Sequence, residues 1–94
     1  MYDKIYYPYP ATDKKHKFFI ITDTGKKISF GAKEYEDFTI HKDEERKQRY
    51  IKRHEKREDW GKSGINTKGF WSKNLLWNKP TLEASYNDIK KRFL

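Results

Sequence analysis

The stretch Arg46-Lys47-Gln48-Arg49-Tyr50-Ile51-Lys52-Arg53-His54-Glu55-Lys56-Arg57 carries seven Lys or Arg in twelve residues and a single acid, Glu55. Charge of one sign at this density cannot be buried unpaired, so the run folds only where one side packs and the other meets water or an anion. On a helix advancing about 100° per residue, Arg46, Arg49, Lys52, Arg53, Lys56 and Arg57 share one arc of roughly 140°, with Tyr50, Ile51 and His54 turned away from it toward a core. Asp43 is suited to cap this helix, and Glu44 and Glu45 occupy the first turn, where the helix dipole favours negative charge. The expected span is 43 to 56 or slightly beyond.

The core facing that helix must be largely aromatic. Mean hydropathy is −1.23 and 38% of residues are charged, a balance that tends toward disorder, but six Phe, seven Tyr and three Trp oppose it. Each aromatic ring buries a large area, so a few can close a small core, and 94 residues suffice for one modest domain. There is no cysteine, which excludes disulfides and thiolate metal sites and suits a reducing compartment. No apolar run reaches the length of a membrane span or signal-peptide core, and the chain reads as soluble and unsecreted.

Residues 1–14 read as an extended arm ahead of a single basic domain over 15–94. In the arm, Tyr2, Tyr6, Tyr7 and Tyr9 alternate with Pro8 and Pro10, which favour extended backbone. It either lies on its own domain or docks into a neighbouring protein through its rings. Lys17–Thr22 and Lys27–Phe30 flank Asp23-Thr24-Gly25-Lys26 as a β-hairpin. Phe18, Ile20 and Thr22 share one face, with Phe19 and Ile21 on the other, so both faces need cover. Tyr35, Phe38 and Ile40 fall in a connector or third short strand. Residues 59–66 form a loop with Trp60 turned inward. Thr67 caps a short helix whose Phe70, Trp71, Leu75, Leu76 and Trp77 surround its axis and mark the centre of the core. Asn78-Lys79-Pro80 stops it. A further helix from Pro80 or Thr81 carries the stripe Leu82, Tyr86, Ile89 and Phe93. The fold class expected is α+β: an N-terminal hairpin packed with about three helices, preceded by the arm.

Blocks Ile28-Ser29-Phe30-Gly31, Tyr35 through Asp43, Arg46 through Trp60, and Ser63 through Ser72, continuing over Leu75–Thr81 to Lys91-Arg92-Phe93, resemble a family of short basic proteins of large nucleocytoplasmic double-stranded DNA viruses and some large tailed phages. The resemblance spans about Ile28 to Phe93 and leaves the Tyr-Pro arm outside. It implies a viral, virion-associated protein, present in host cytoplasm or nucleus during infection. It carries over no activity and no functional residues. It suits two roles: coating or condensing DNA, or a minor capsid or cement protein bridging coat subunits.

Charge distribution points the same way. Residues 1–41 hold seven basic and six acidic groups, whereas residues 42–94 hold fifteen and eight, a localised cationic footprint. Arg46, Arg49, Lys52, Arg53, Lys56 and Arg57 are the expected nucleic-acid contacts, and the arginines suit bidentate phosphate binding. A merely solvated helix face is the alternative. No Asn or Gln set shares the arc, so strong sequence readout is not expected. Trp60, Phe70, Trp71 and Trp77 interleave with lysines in a manner seen in strand-stacking surfaces, but their helical context favours core packing.

The partner is DNA or an acidic surface of viral coat proteins, the latter engaged through Tyr2, Tyr6, Tyr7 and Tyr9 together with the charged face. A host-directed interaction module is a third class. No cofactor, metal site or enzymatic activity is expected. His54-Glu55-Lys56-Arg57-Glu58 has Glu where a zinc-protease helix needs its second His. Glu34, Glu36 and Asp37 near a lysine form the kind of cluster a charged chain produces by chance.

Overall fold

The computed structural model describes residues 4–94; Tyr2 lies outside them. The hairpin forms where its β-branched and aromatic residues put it: β2, His16–Ile21, pairs antiparallel with β3, Lys27–Ala32, setting Phe18 opposite Phe30 and Ile20 opposite Ile28. Its turn closes through Gly25 N–H to Thr22 O at 2.9 Å and Thr22 N–H to Lys26 O at 2.8 Å, with Gly25 at φ +86°. The third strand is not near Phe38. It is β1, Tyr9–Pro10, on the other side of β2, with Tyr9 opposite Phe19. Two residues, one a proline, make a strand only because β2 has a free edge to receive them.

Both sheet faces are covered, as the alternation requires. Phe19 is fully buried on one face, between the ring of Tyr9 (5.6 Å) and the ammonium of Lys27 (4.4 Å). The other face, with Ile20, Ile28 and Phe30, packs on the helices.

The helices come next in the chain. Asp37 caps a single turn, α1, Phe38–His41, which buries Phe38 and leaves Ile40 exposed. Lys42 in the left-handed conformation ends it. Asp43 caps α2, Glu44–His54, by accepting from Glu45 N–H (3.0 Å) and Arg46 N–H (3.3 Å). A 3₁₀ turn, Lys62–Gly64, follows. Thr67 then caps α3, which begins as an α-helix at Lys68–Trp71 and continues as a π-helical stretch, Ser72–Leu76. The α-helical part turns Phe70 and Trp71 inward, and the wider π turn adds Asn74, Leu75 and Leu76. Gly31 of β3 (φ +78°) lets the strand approach α3: a Cβ there would lie 2.7 Å from Leu76 Cδ1. Thr81 caps α4, Leu82–Phe93. Of the α4 stripe, Ile89 is fully buried, Tyr86 and Phe93 are half-buried and Leu82 is exposed. Ser85 is buried in that turn instead, its hydroxyl accepting from Lys79 N–H at 3.0 Å.

The architecture is a single α+β domain, a three-stranded antiparallel sheet with four helices. Trp71 sits at its centre, between Tyr6 (6.2 Å), Phe30 (6.1 Å) and Phe70 (5.4 Å), with its indole N–H donated to Ile65 O at 2.8 Å.

The described part of the N-terminal segment belongs to this core rather than extending from it. Tyr6 is only 8% exposed. Its N–H bonds Ile21 O at 2.8 Å, and its hydroxyl lies 2.8 Å from Asn66 Oδ1 and 3.1 Å from Asp23 Oδ1. These contacts hold it at φ +52°, a conformation few bulky residues adopt. Tyr7 meets Tyr9 at 5.0 Å and Tyr86 of α4 at 5.4 Å. Of the two placements open for the arm, Tyr6, Tyr7 and Tyr9 take the one on their own domain, through the Trp71 stack, the Tyr86 contact and the pairing of β1 with β2. Tyr6→Ala should cost about 3–5 kcal/mol, as other deletions of large buried aromatics do, read as a fall in the urea unfolding midpoint. An unchanged midpoint would show that the segment contributes nothing to the core.

Candidate functional site

α2 presents two sides. Its inner side carries Tyr50, stacked on Trp77 at 4.4 Å with ring planes 3° apart, and His54, whose ring lies 4.4 Å from that of Tyr50. Lys47 reaches past the helix to donate to Asn78 O at 2.7 Å. Glu58 ties the end of α2 down: its carboxylate is 3.2 Å from His54 Nδ1 and accepts from Trp60 Nε1–H at 2.9 Å. His54 thus both packs beside Tyr50 and meets a carboxylate.

The outer side carries the charge. Arg49, Lys52 and Arg53 are exposed, and Arg46 is half-buried and paired with Glu36 at 3.2 Å. Lys56 and Arg57 are exposed but not on the helix, which ends at His54 with Glu55 as its C-cap. There the chain turns so that Glu58 can reach His54 and Trp60, and Arg57 donates to Arg53 O at 3.3 Å. The continuous helical arc is therefore Arg46, Arg49, Lys52 and Arg53, and the last two cations of the run lie in the following turn.

Three of the arginines also line a cleft. Arg46, Arg49 and Arg53 form one wall; Tyr35, Glu36 and Asp37, from the segment between β3 and α1, are on the cleft with Lys17 and Gly31 of the sheet; Tyr50, Leu76 and Trp77 complete its lining. The cleft has a volume of about 820 Å³. Its acids are engaged internally. Asp37 is buried, accepts from Lys17 Nζ at 2.5 Å and from Thr39 N–H at 2.9 Å, and also receives the Thr39 hydroxyl. Glu36 holds Arg46. Tyr35 stands at the rim, 71% exposed.

The aromatics weighed for stacking divide by burial. Phe70 and Trp71 are fully buried, while Trp60 and Trp77 are half-buried, Trp77 on the cleft. Among the described residues no group of three or more His, Asp or Glu is placed to hold a metal ion, and no helix is long and apolar enough to cross a membrane.

The contribution of residues 35–37 to the cleft does not show in the sequence. Tyr35 reads in sequence as an apolar anchor, and only the pattern Asp37-Phe38-Thr39, a side-chain cap on a short turn, hints that residues 35–37 are held in fixed geometry. Fold and cleft together define a small basic α+β domain with an arginine-lined groove. Residues 9–54 match the model of a family of unknown function, DUF5754. That segment, just under half of the chain, runs from the start of β1 to the end of α2 and so takes in the whole sheet and the arginine wall. It shares residues 28–54 with the viral and phage resemblance, begins before it, and stops short of the Trp-rich block. The family description names neither an activity nor an origin. No curated protein and no solved structure matches the chain.

Burial, reinforced by the negative charge of Glu58 and opposed by Arg53, pushes the Tyr50 hydroxyl well above the ordinary tyrosine range. With the native pKa above the unfolded one, the folded state retains this proton where the unfolded chain has lost it. The stabilisation is complete below about pH 10 and is lost as pH rises beyond it. Alkaline titration followed by tryptophan fluorescence should therefore show α2 loosening from Trp77 above about pH 10, and Tyr50→Phe, which keeps the ring stack, should move that onset upward. Coincident transitions in the two proteins would assign the change to lysines instead.

Proposed function

We propose that this is a small, basic, non-enzymatic viral protein, associated with the virion, that binds DNA through α2 and the adjoining turn without strong sequence preference. One observation carries the reading: Arg49, Lys52 and Arg53 stand exposed on one arc of a helix whose acids are confined to its first turn, with Glu36 the only carboxylate paired to the arc among the described residues. Cations so arranged repel one another until an anion is supplied, and each phosphate neutralised releases condensed counterions. The viral setting draws on the resemblance of residues 28–93. The coat-bridging alternative uses the tyrosine arm and the charged face; with Tyr6, Tyr7 and Tyr9 engaged in the domain, the charged face is what supports it among the described residues.

Arg49→Glu with Arg53→Glu should reduce DNA affinity by tenfold or more and make the slope of log affinity against log salt shallower by about 2, one unit for each phosphate no longer neutralised. Both side chains are exposed, so the unfolding midpoint should be little changed. Full DNA retention by the double variant at moderate salt would refute the proposal.

A further inference from the structure

We infer that the cleft beside α2 seats single-stranded DNA, with phosphates on Arg46, Arg49 and Arg53 and an unpaired base against the ring of Tyr35. This rests on the DNA-binding reading of α2 and adds the form of the nucleic acid. The three arginines recur at spacings of three and four residues, so they run along the cleft for roughly 10 Å of helix, a length that a few consecutive phosphates of one strand occupy. A duplex keeps its bases stacked inside and offers only their edges. A ring at the rim of a cationic groove gains nothing from such edges, but it can stack on a base that has left the duplex.

Tyr35 is placed for that contact. It is 71% exposed on the cleft that the guanidinium groups line, and no ring contact among the described residues engages it. Trp77 and Tyr50, by contrast, are already stacked on each other.

Glu36 already occupies the place of an anionic ligand on Arg46. Its carboxylate sits 3.2 Å from Arg46 Nη1, where a phosphate oxygen would bind, with both side chains partly exposed. An incoming strand displaces it. Asp37, the buried acceptor on the cleft, stays bound to Lys17, so it places no demand for a 2′-hydroxyl and deoxyribose suffices.

The test is fluorescence anisotropy at low salt with a labelled oligothymidine of about 15 nucleotides and a duplex of equal length, on the full chain, Tyr35→Ala and Glu36→Gln. The single strand should bind at least tenfold tighter than the duplex. Tyr35→Ala should lose about tenfold on the strand, the scale of one base–aromatic stack, and nothing on the duplex. Glu36→Gln should tighten the strand a few-fold by freeing Arg46. Equal affinity for strand and duplex, with Tyr35→Ala neutral, would overturn the seat and leave the cationic-helix reading standing. Absence of binding to either would overturn both. Oligouridine bound tenfold tighter than oligothymidine would overturn the assignment to DNA.

Discussion

Trp71 is the side chain on which the rest of the domain depends. A chain this polar has few apolar groups, and three large rings converge on one indole: Phe30 from the sheet, Phe70 from its own helix and Tyr6 from the N-terminal segment. Its N–H is satisfied by Ile65 O, so a ring that large is buried without leaving a donor stranded. Around this centre the sheet supplies one wall and α4 another through Ile89, while Phe93 reaches Phe70 at 5.0 Å. The concentration explains how 94 residues with 38% charged content hold a fold. Aromatic rings give area and directional stacking together.

α2 stands outside that centre and is fastened by a smaller aromatic contact. The Tyr50–Trp77 stack, the Lys47–Asn78 bond and the Glu58 bridge are its main attachments. A stacked pair adds about 0.5–1.5 kcal/mol beyond its buried area, enough to orient a helix that repels itself. The charged run is thereby kept apart from the core, so substitutions on its exposed arc alter electrostatics without disturbing the packing around Trp71. The matched family segment contains the sheet and α2 but neither Trp71 nor Trp77. In this chain it depends on residues beyond its own end for burial.

What could be read in the sequence was local. Asp43, Thr67 and Thr81 cap helices through bonds to residues two or three positions on, and the Gly25 turn closes over four residues, so their signals lie within a short window. The arginine line followed from helical periodicity alone. The features that escaped are set by distant partners. β1 exists because β2 has an edge to offer. Tyr6 enters the core through Ile21, Asn66 and Trp71. Ser85, not Leu82, is buried, its hydroxyl accepting from Lys79 N–H six residues back. The cleft combines both kinds: its arginines follow a periodic pattern, whereas residues 35–37 are fastened to the sheet by the Lys17–Asp37 pair, twenty residues apart.

The Tyr50–Trp77 stack also imposes an order in time. The partner that fixes α2 lies 27 residues further along the chain, so during synthesis the cationic helix emerges well before the ring that seats it. The β2–β3 hairpin closes on neighbouring residues and can form at once, but α2 stays unseated until Trp77, just past α3, is in place. For that interval its arginines are presented on a flexible segment to any polyanion at hand, the RNA of the ribosome surface included. Placement of Trp77 after α3 is therefore the step that converts a tethered charged run into a helix with one defined exposed side.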